Sequence, residues 1–294
     1  MARLAVPKRT AFGQGLIQRR AMVASHLRRV YAMGVSDPNL SDPNLSDPNL
    51  SDKDLARLVD ETFVSYAKYW AESLRLPSLT QAELEASITV HGLEHLDEAL
   101  AAGRGVIAAL PHLGGWDWCG RWIAGTGRRA TVIVEPLRPP EVFEWFVQFR
   151  RQSGLDVEAV GPRAGSASLA ALAANHILCL LSDRVVGDAS GIEVEFFGER
   201  TMLPAGPVTL GLRTGVPVVP IAAYFGEKGD DHVIEMRPPI ELVRRGRLRD
   251  DVRVGTQLLA GELEVLIRKA PTQWHLLQPN WPSDYANAAA AARR

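Results

Sequence analysis

From Ile88 to about residue 269, short apolar runs alternate with amphipathic stretches, and this alternation restricts the fold more than any other feature. Apolar runs bounded by Gly, Pro or polar residues read as strands, and apolar residues recurring at three- and four-residue spacing read as helices. Strands are expected at 88–90, 105–110, 130–135, 156–160, 177–182, 192–197 and near 217–224 and 232–236. Helices are expected at 93–101, from 116, at 140–152, 164–174, 205–213 and about 251–269. That order predicts one α/β domain, a mainly parallel central sheet flanked by helices. A chain of 294 residues is long enough to bury such a core.

The N-terminal portion predicts a helical layer outside this alternation. Residues 1–35 carry Arg3, Lys8, Arg9, Arg19, Arg20, Arg28 and Arg29 and no Asp or Glu. Leu16, Val23, Leu27 and Val30 recur at helical spacing between Gly15 and Met33. A basic amphipathic helix suits an anionic membrane surface, and an ordinary packed helix with a solvated face fits equally well. Residues 36–50 repeat Ser-Asp-Pro-Asn-Leu in tandem, a unit too short for a solenoid and rich in turn formers, so an exposed loop is expected. Ser51 is placed to cap a helix running to about Leu76, with Asp54 three residues on. Residues 51–284 then form the main domain and 285–294 a tail.

Composition removes several classes of function. The net charge of −1 argues against a general nucleic-acid binder. Cys119 and Cys179 sit in apolar runs, with no disulfide framework and no metal-ligand spacing, so no metal is expected. The apolar run Val216–Phe225 is too short and proline-interrupted to cross a bilayer. No phosphate-cradling glycine loop follows a strand, and no Gly-x-Ser-x-Gly elbow is present.

The chemistry concentrates at strand ends. Leu110-Pro111-His112-Leu113-Gly114-Gly115-Trp116-Asp117 joins a strand to a helix, which puts a histidine where ligands bind in α/β sheets. Within a helix, residues five apart diverge by roughly 140°, but around this corner Asp117 is able to reach His112. A carboxylate on one ring nitrogen fixes the tautomer and supports the charge gained when the other takes a proton. Asp183 and Arg184 end another strand at the same edge, and Glu195 precedes the turn at Gly198. Arg150 closes an aromatic helix and suits a phosphate or a helix C-terminus equally well.

These residues, taken in order, resemble the glycerolipid acyltransferase superfamily: His112-x4-Asp117, the helix ending at Arg150, Ser182-Asp183-Arg184, Phe196-Phe197-Gly198, Pro204-Ala205-Gly206-Pro207 and Val216-Pro217-Val218-Val219-Pro220. Within it, the chain is similar to the branch of lipid A late acyltransferases and phosphatidylinositol mannoside acyltransferases, and its tail Pro271–Trp281 is closer to the latter. The resemblance implies transfer of a long acyl chain from acyl-CoA, a co-substrate with no other cofactor, to a mannose hydroxyl of a phosphatidylinositol mannoside. It implies a peripheral, monomeric enzyme at the cytoplasmic face of the plasma membrane. His112 would be the base and Asp117 its orienting carboxylate, with a further catalytic acid at Asp183 or Glu195. Arg150, His112 and Arg184 would contact acyl-CoA, with Ser190 and Arg213 as further candidates. A lipid A precursor or lysophospholipid acceptor, or a non-catalytic acyl-CoA- or lipid-binding protein, are the alternatives.

Overall fold

The computed structural model describes residues 11–33, 50–187, 191–226 and 229–286. The N-terminal decapeptide, the tandem repeat apart from Leu50, Ser190 and residues 287–294 lie outside the described residues.

The central sheet follows the expected alternation. Its strands are β1 (Ile88–His91), β2 (Val106–Leu110), β3 (Ala130–Val134), β4 (Asp156–Ala159), β5 (Ile177–Leu181), β8 (Val218–Phe225) and β9 (His232–Met236), in spatial order β1-β9-β8-β2-β5-β3-β4. β8, β2, β5, β3 and β4 run parallel. β9 pairs antiparallel with β8, its near neighbour in the chain, and β1 follows β9 in parallel. β2 lies between β8 and β5, and all of its residues are buried. That is why it reads as an unbroken apolar run. Its side chains alternate between two cores: Ile107 and Ala109 enter one, Val106, Ala108 and Leu110 the other.

Helices α1 (Ala11–Ala32), α2 (Asp52–Arg75), α8 (Gly206–Thr214) and α9 (Leu248–Lys269) contribute to the first core. α4 (Leu93–Ala101) and α5 (Trp116–Gly125) contribute to the second. The short α3 (Gln81–Ala86), α6 (Pro140–Gln152) and α7 (Ala164–Ala173) complete the covering. Ser51 caps α2 as expected, accepting the Asp54 N–H at 3.2 Å. α2 starts on the first core with Leu55, Leu58 and Val59, and its far end, at Trp70 and Leu76, packs with Trp118 and Phe146. It therefore crosses the carboxyl edge of the parallel strands.

Two local readings change. β7 (Glu199–Pro204) pairs antiparallel with β6 (Gly191–Phe196), a hairpin not expected from sequence. Its alternation is masked because exposed Arg200 and Met202 flank buried Thr201 and Leu203. Phe197 (φ 50°) and Gly198 (φ 73°) both adopt left-handed backbone, as a two-residue hairpin turn requires. α1 is a packed helix: Val23, Leu27, Val30 and Tyr31 are in the core. Three of its cations meet acids of the same chain, Arg20 with Asp60 at 2.7 Å, Arg28 with Asp52 at 2.7 Å and Arg29 with Asp284 at 3.0 Å. Of the two readings open at the sequence level, the packed helix describes its apolar face; Arg3, Lys8 and Arg9 lie outside the described residues.

Candidate active site

The corner after β2 is built on backbone constraints. Gly114 has φ +59°, and a Cβ there would meet the Ala223 carbonyl oxygen at 2.0 Å, so only glycine fits. The Gly114 N–H donates to the Gln273 carbonyl (2.9 Å) and the Gly115 N–H to that of Ala223 (2.8 Å). The His275 N–H donates to the His112 carbonyl (2.7 Å), so a C-terminal segment is laced along the histidine loop.

His112 meets Asp183, not Asp117. Its Nδ1 lies 2.6 Å from Asp183 Oδ1, and its backbone N–H donates to Oδ2 at 2.9 Å. A carboxylate only accepts, so Nδ1 carries a proton, and in the neutral form of the ring Nε2 holds the lone pair. No described residue bonds Nε2, and the ring is 19% exposed. Trp274 Nε1 donates to Asp183 Oδ2 at 2.7 Å, and Asn280 Nδ2 to the Asp183 carbonyl at 3.0 Å. Burial alone would raise the Asp183 carboxyl, but His112 and the Trp274 N–H outweigh it and hold it below the usual range. His275 packs nearby with Nε2 on the Ser65 hydroxyl at 2.8 Å. Burial first, then the proximity of His112, pushes it down to about 3, so it stays neutral beside the site.

Asp117 faces a different partner. Its oxygens take the Arg150 fork at 2.8 and 3.1 Å and the Tyr69 hydroxyl at 2.6 Å. The expected orienting role of Asp117 is thus corrected: at the start of α5 its side chain is claimed by α6 and α2. Arg150 is likewise not a free phosphate receptor, since two of its nitrogens are spent on Asp117. Burial works against its charge, yet Asp117 raises its pKa above the ordinary value.

The other candidates separate. Arg184 pairs with Glu135 at the end of β3. Glu195 is exposed, its backbone tied to Gln257 of α9, and no contact joins its side chain to His112. Arg213 is exposed in the last turn of α8, which leads into the start of β8, so it lies at the sheet edge opposite His112. Ser190 lies outside the described residues. Among the described residues no cluster of His, Cys, Asp and Glu could hold a metal ion.

Beside the pair a narrow apolar slot of about 60 Å³ runs between the sheet and α5 and α6. Leu110, Val134 and Leu181 line it at the strand ends, Ala108, Val132 and Cys179 one step deeper, with Gly120, Ile123 and Leu155 opposite. Trp116 lines it too, and its ring meets the His112 ring edge-on at 5.8 Å. Burial raises both thiols, Cys179 to about 12, so they stay protonated wall residues.

Comparison with known proteins identifies the family. Residues 45–283 match the family described as bacterial lipid A biosynthesis acyltransferase. The chain belongs to that family. It is 35% identical over 233 residues to the phosphatidylinositol mannoside acyltransferase of Mycolicibacterium smegmatis, covering 78% of this chain and 74% of that protein. The Mycobacterium tuberculosis protein of the same name is 34% identical over 235 residues, covering 78% and 72%. A lipid A biosynthesis acyltransferase of Haemophilus influenzae is 22% identical over 74% of this chain.

Sequence reasoning missed Tyr69, Trp274, His275 and Asn280 as parts of the site. Tyr69 reads as one more apolar-face residue of its helix. The signal for the others was present in the polar-aromatic segment Gln273-Trp274-His275 and in Asn280-Trp281, more buried polar chemistry than a trailing segment needs.

Proposed function

We propose that this acyltransferase moves a long fatty acyl chain from acyl-CoA to a mannose hydroxyl of a phosphatidylinositol mannoside, with His112 as general base. The observation that carries the reading is the His112–Asp183 pair at 2.6 Å with Nε2 unpartnered beside an apolar slot. The relatives' names supply the acceptor. The slot takes the proximal part of the acyl chain and holds the thioester at the strand ends. Nε2 takes the proton of the sugar hydroxyl as its oxygen attacks the thioester carbonyl carbon. The tetrahedral oxyanion collapses, the C–S bond breaks, and the imidazolium returns its proton to the departing thiolate. Asp183 holds the tautomer and supports the transient charge. Asp117 keeps the Arg150 charge fixed at the slot wall, where Arg150 contributes positive potential toward the developing oxyanion.

The lipid surface lies on the α6 side. No helix among the described residues is long and apolar enough to cross a membrane. Leu137, Val142 and Trp145 are 38%, 41% and 48% exposed, next to exposed Arg138 and Arg151 and to the α6 residue that walls the slot. That combination suits a peripheral contact with an anionic leaflet on the side from which acyl-CoA arrives. The test is CoA release from palmitoyl-CoA by wild type and His112→Ala, with and without phosphatidylinositol dimannoside. Mannoside-stimulated release that His112→Ala abolishes is the expected result. Release indifferent to the mannoside overturns the acceptor and favours a lipid A precursor or lysophospholipid. Binding of acyl-CoA with no turnover overturns the catalytic reading.

A further inference from the structure

The segment that holds Asp183 is itself held from α1 through one buried carboxylate. Asp284 is 1% exposed and gathers five donors: Ser25 Oγ (3.1 Å), an Arg29 guanidinium N–H (3.0 Å), His26 Nε2 (3.1 Å) and the backbone N–H groups of Asn280 (3.2 Å) and Trp281 (3.1 Å). His26 Nδ1 bonds the Leu276 carbonyl at 3.0 Å. Arg29 also reaches the Ser283 hydroxyl at 2.7 Å and lies over the Trp281 ring at 4.4 Å.

We propose that Asp284 is a positioning residue for the proton-transfer pair: through it, α1 sets the place of the C-terminal segment, and that segment sets Asp183 against His112. The chain of contacts is continuous. Asp284 pins the backbone N–H of Asn280, the Asn280 side chain holds the Asp183 carbonyl, and Asp183 holds His112 through two bonds. A buried ion pair adds little stability over a well-packed apolar filling. Donors from α1 and from the segment itself converging on one carboxylate are better accounted for by geometric definition than by stabilisation. The inference rests on His112 acting as the base.

The test uses the full chain with Asp284→Asn, Asn280→Ala and their combination, read in three ways. Steady-state transfer from palmitoyl-CoA to phosphatidylinositol dimannoside separates kcat from KM. The downfield NMR resonance of the His112 Nδ1–H, assigned by its loss in His112→Ala, reports the pair without requiring turnover. Urea unfolding confirms that each variant is folded. Asp284→Asn is expected to lower kcat about tenfold with KM within about twofold, and to displace or broaden the resonance. The double variant is expected to be no slower than the slower single one, because both changes cut one path. A folded Asp284→Asn with wild-type kcat and resonance, or losses that multiply in the double variant, overturns the proposal. If Asp284→Asn does not fold, Arg29→Lys, which keeps the charge and loses the fork and the ring contact, is judged by the same criteria. If the wild type transfers no acyl group, the functional reading fails, while the resonance still decides whether Asp284 positions the pair.

Discussion

Two carboxylates near the carboxyl edge of one sheet, Asp183 and Asp117, are both buried and each accept three hydrogen bonds, yet they are set up for different work. Asp183 faces a histidine whose second nitrogen is unpartnered, so its charge can assist a moving proton. Asp117 faces an arginine that does not release its proton, with a tyrosine on the oxygen that also takes Arg150 Nη2, so its charge stays fixed. What separates a proton-transfer carboxylate from a scaffolding one here is the partner, not burial.

The largest expected effect tests the Asp183 side. His112→Ala should lower turnover by ~10²–10⁴-fold or more, and Asp183→Asn by a comparable factor, with both proteins folded by circular dichroism. Equal, mild losses from Asp183→Asn and Asp117→Asn would erase the contrast.

Next is the fixed pair. Asp117→Asn leaves the Arg150 charge buried without its counter-ion and should cost about 3–5 kcal/mol in urea unfolding. Unchanged stability with lost activity would move Asp117 into the proton chemistry.

The slot that Asp117 and Arg150 line gives a smaller, selective effect. A Cβ at Gly120 would meet Leu155 Cδ1 at 3.1 Å. Gly120→Val should therefore lower kcat/KM for palmitoyl-CoA about tenfold relative to a short-chain donor, the scale of discrimination by a few methylenes. Equal loss on both donors would place the acyl chain elsewhere. On the rim, Trp145→Ser should weaken co-sedimentation with anionic vesicles and leave turnover of a short-chain, water-soluble donor unchanged; undiminished vesicle binding would remove α6 from the membrane face.

The smallest effect concerns His275, whose folded value of about 3 lies below the ordinary 6.5. The unfolded chain binds the proton first, so this group's contribution to stability is complete above 6.5 and is lost as pH falls from there toward 3. His275→Gln should flatten the stability–pH curve in that window, measured by urea midpoints; an unaltered slope would mean the ring is protonated in place.

Much of the fold was legible because it is local. The apolar run of β2 announces a strand covered on both faces, and Ser51 announces the start of α2. β7 was not legible, because a polar Thr201 is buried and an apolar Met202 is exposed, so residue type does not follow its alternating burial. The amphipathic signal of α1 was read correctly as a helix and ambiguously as a surface: periodicity reports that an apolar face exists, not whether lipid or the protein's own core covers it. In the site, His112, Asp117, Asp183 and Arg150 were all found as candidates, but their pairing was not. Glu195 was drawn in by the turn that follows it and Arg213 by the family resemblance, and the structure then places one on an exposed hairpin and the other at the opposite sheet edge.

By itself the sequence determined the strand–helix order, the glycine corner that presents His112 and the membership of an acyltransferase family, since each depends on residue type and near spacing. Only the tertiary structure decided which carboxylate meets the histidine. His112 and Asp117 are five residues apart and point to different partners, whereas Asp183, 71 residues on, arrives at hydrogen-bond distance because β5 pairs with β2 in register. Strand pairing is a long-range choice made by packing, and no local pattern encodes it.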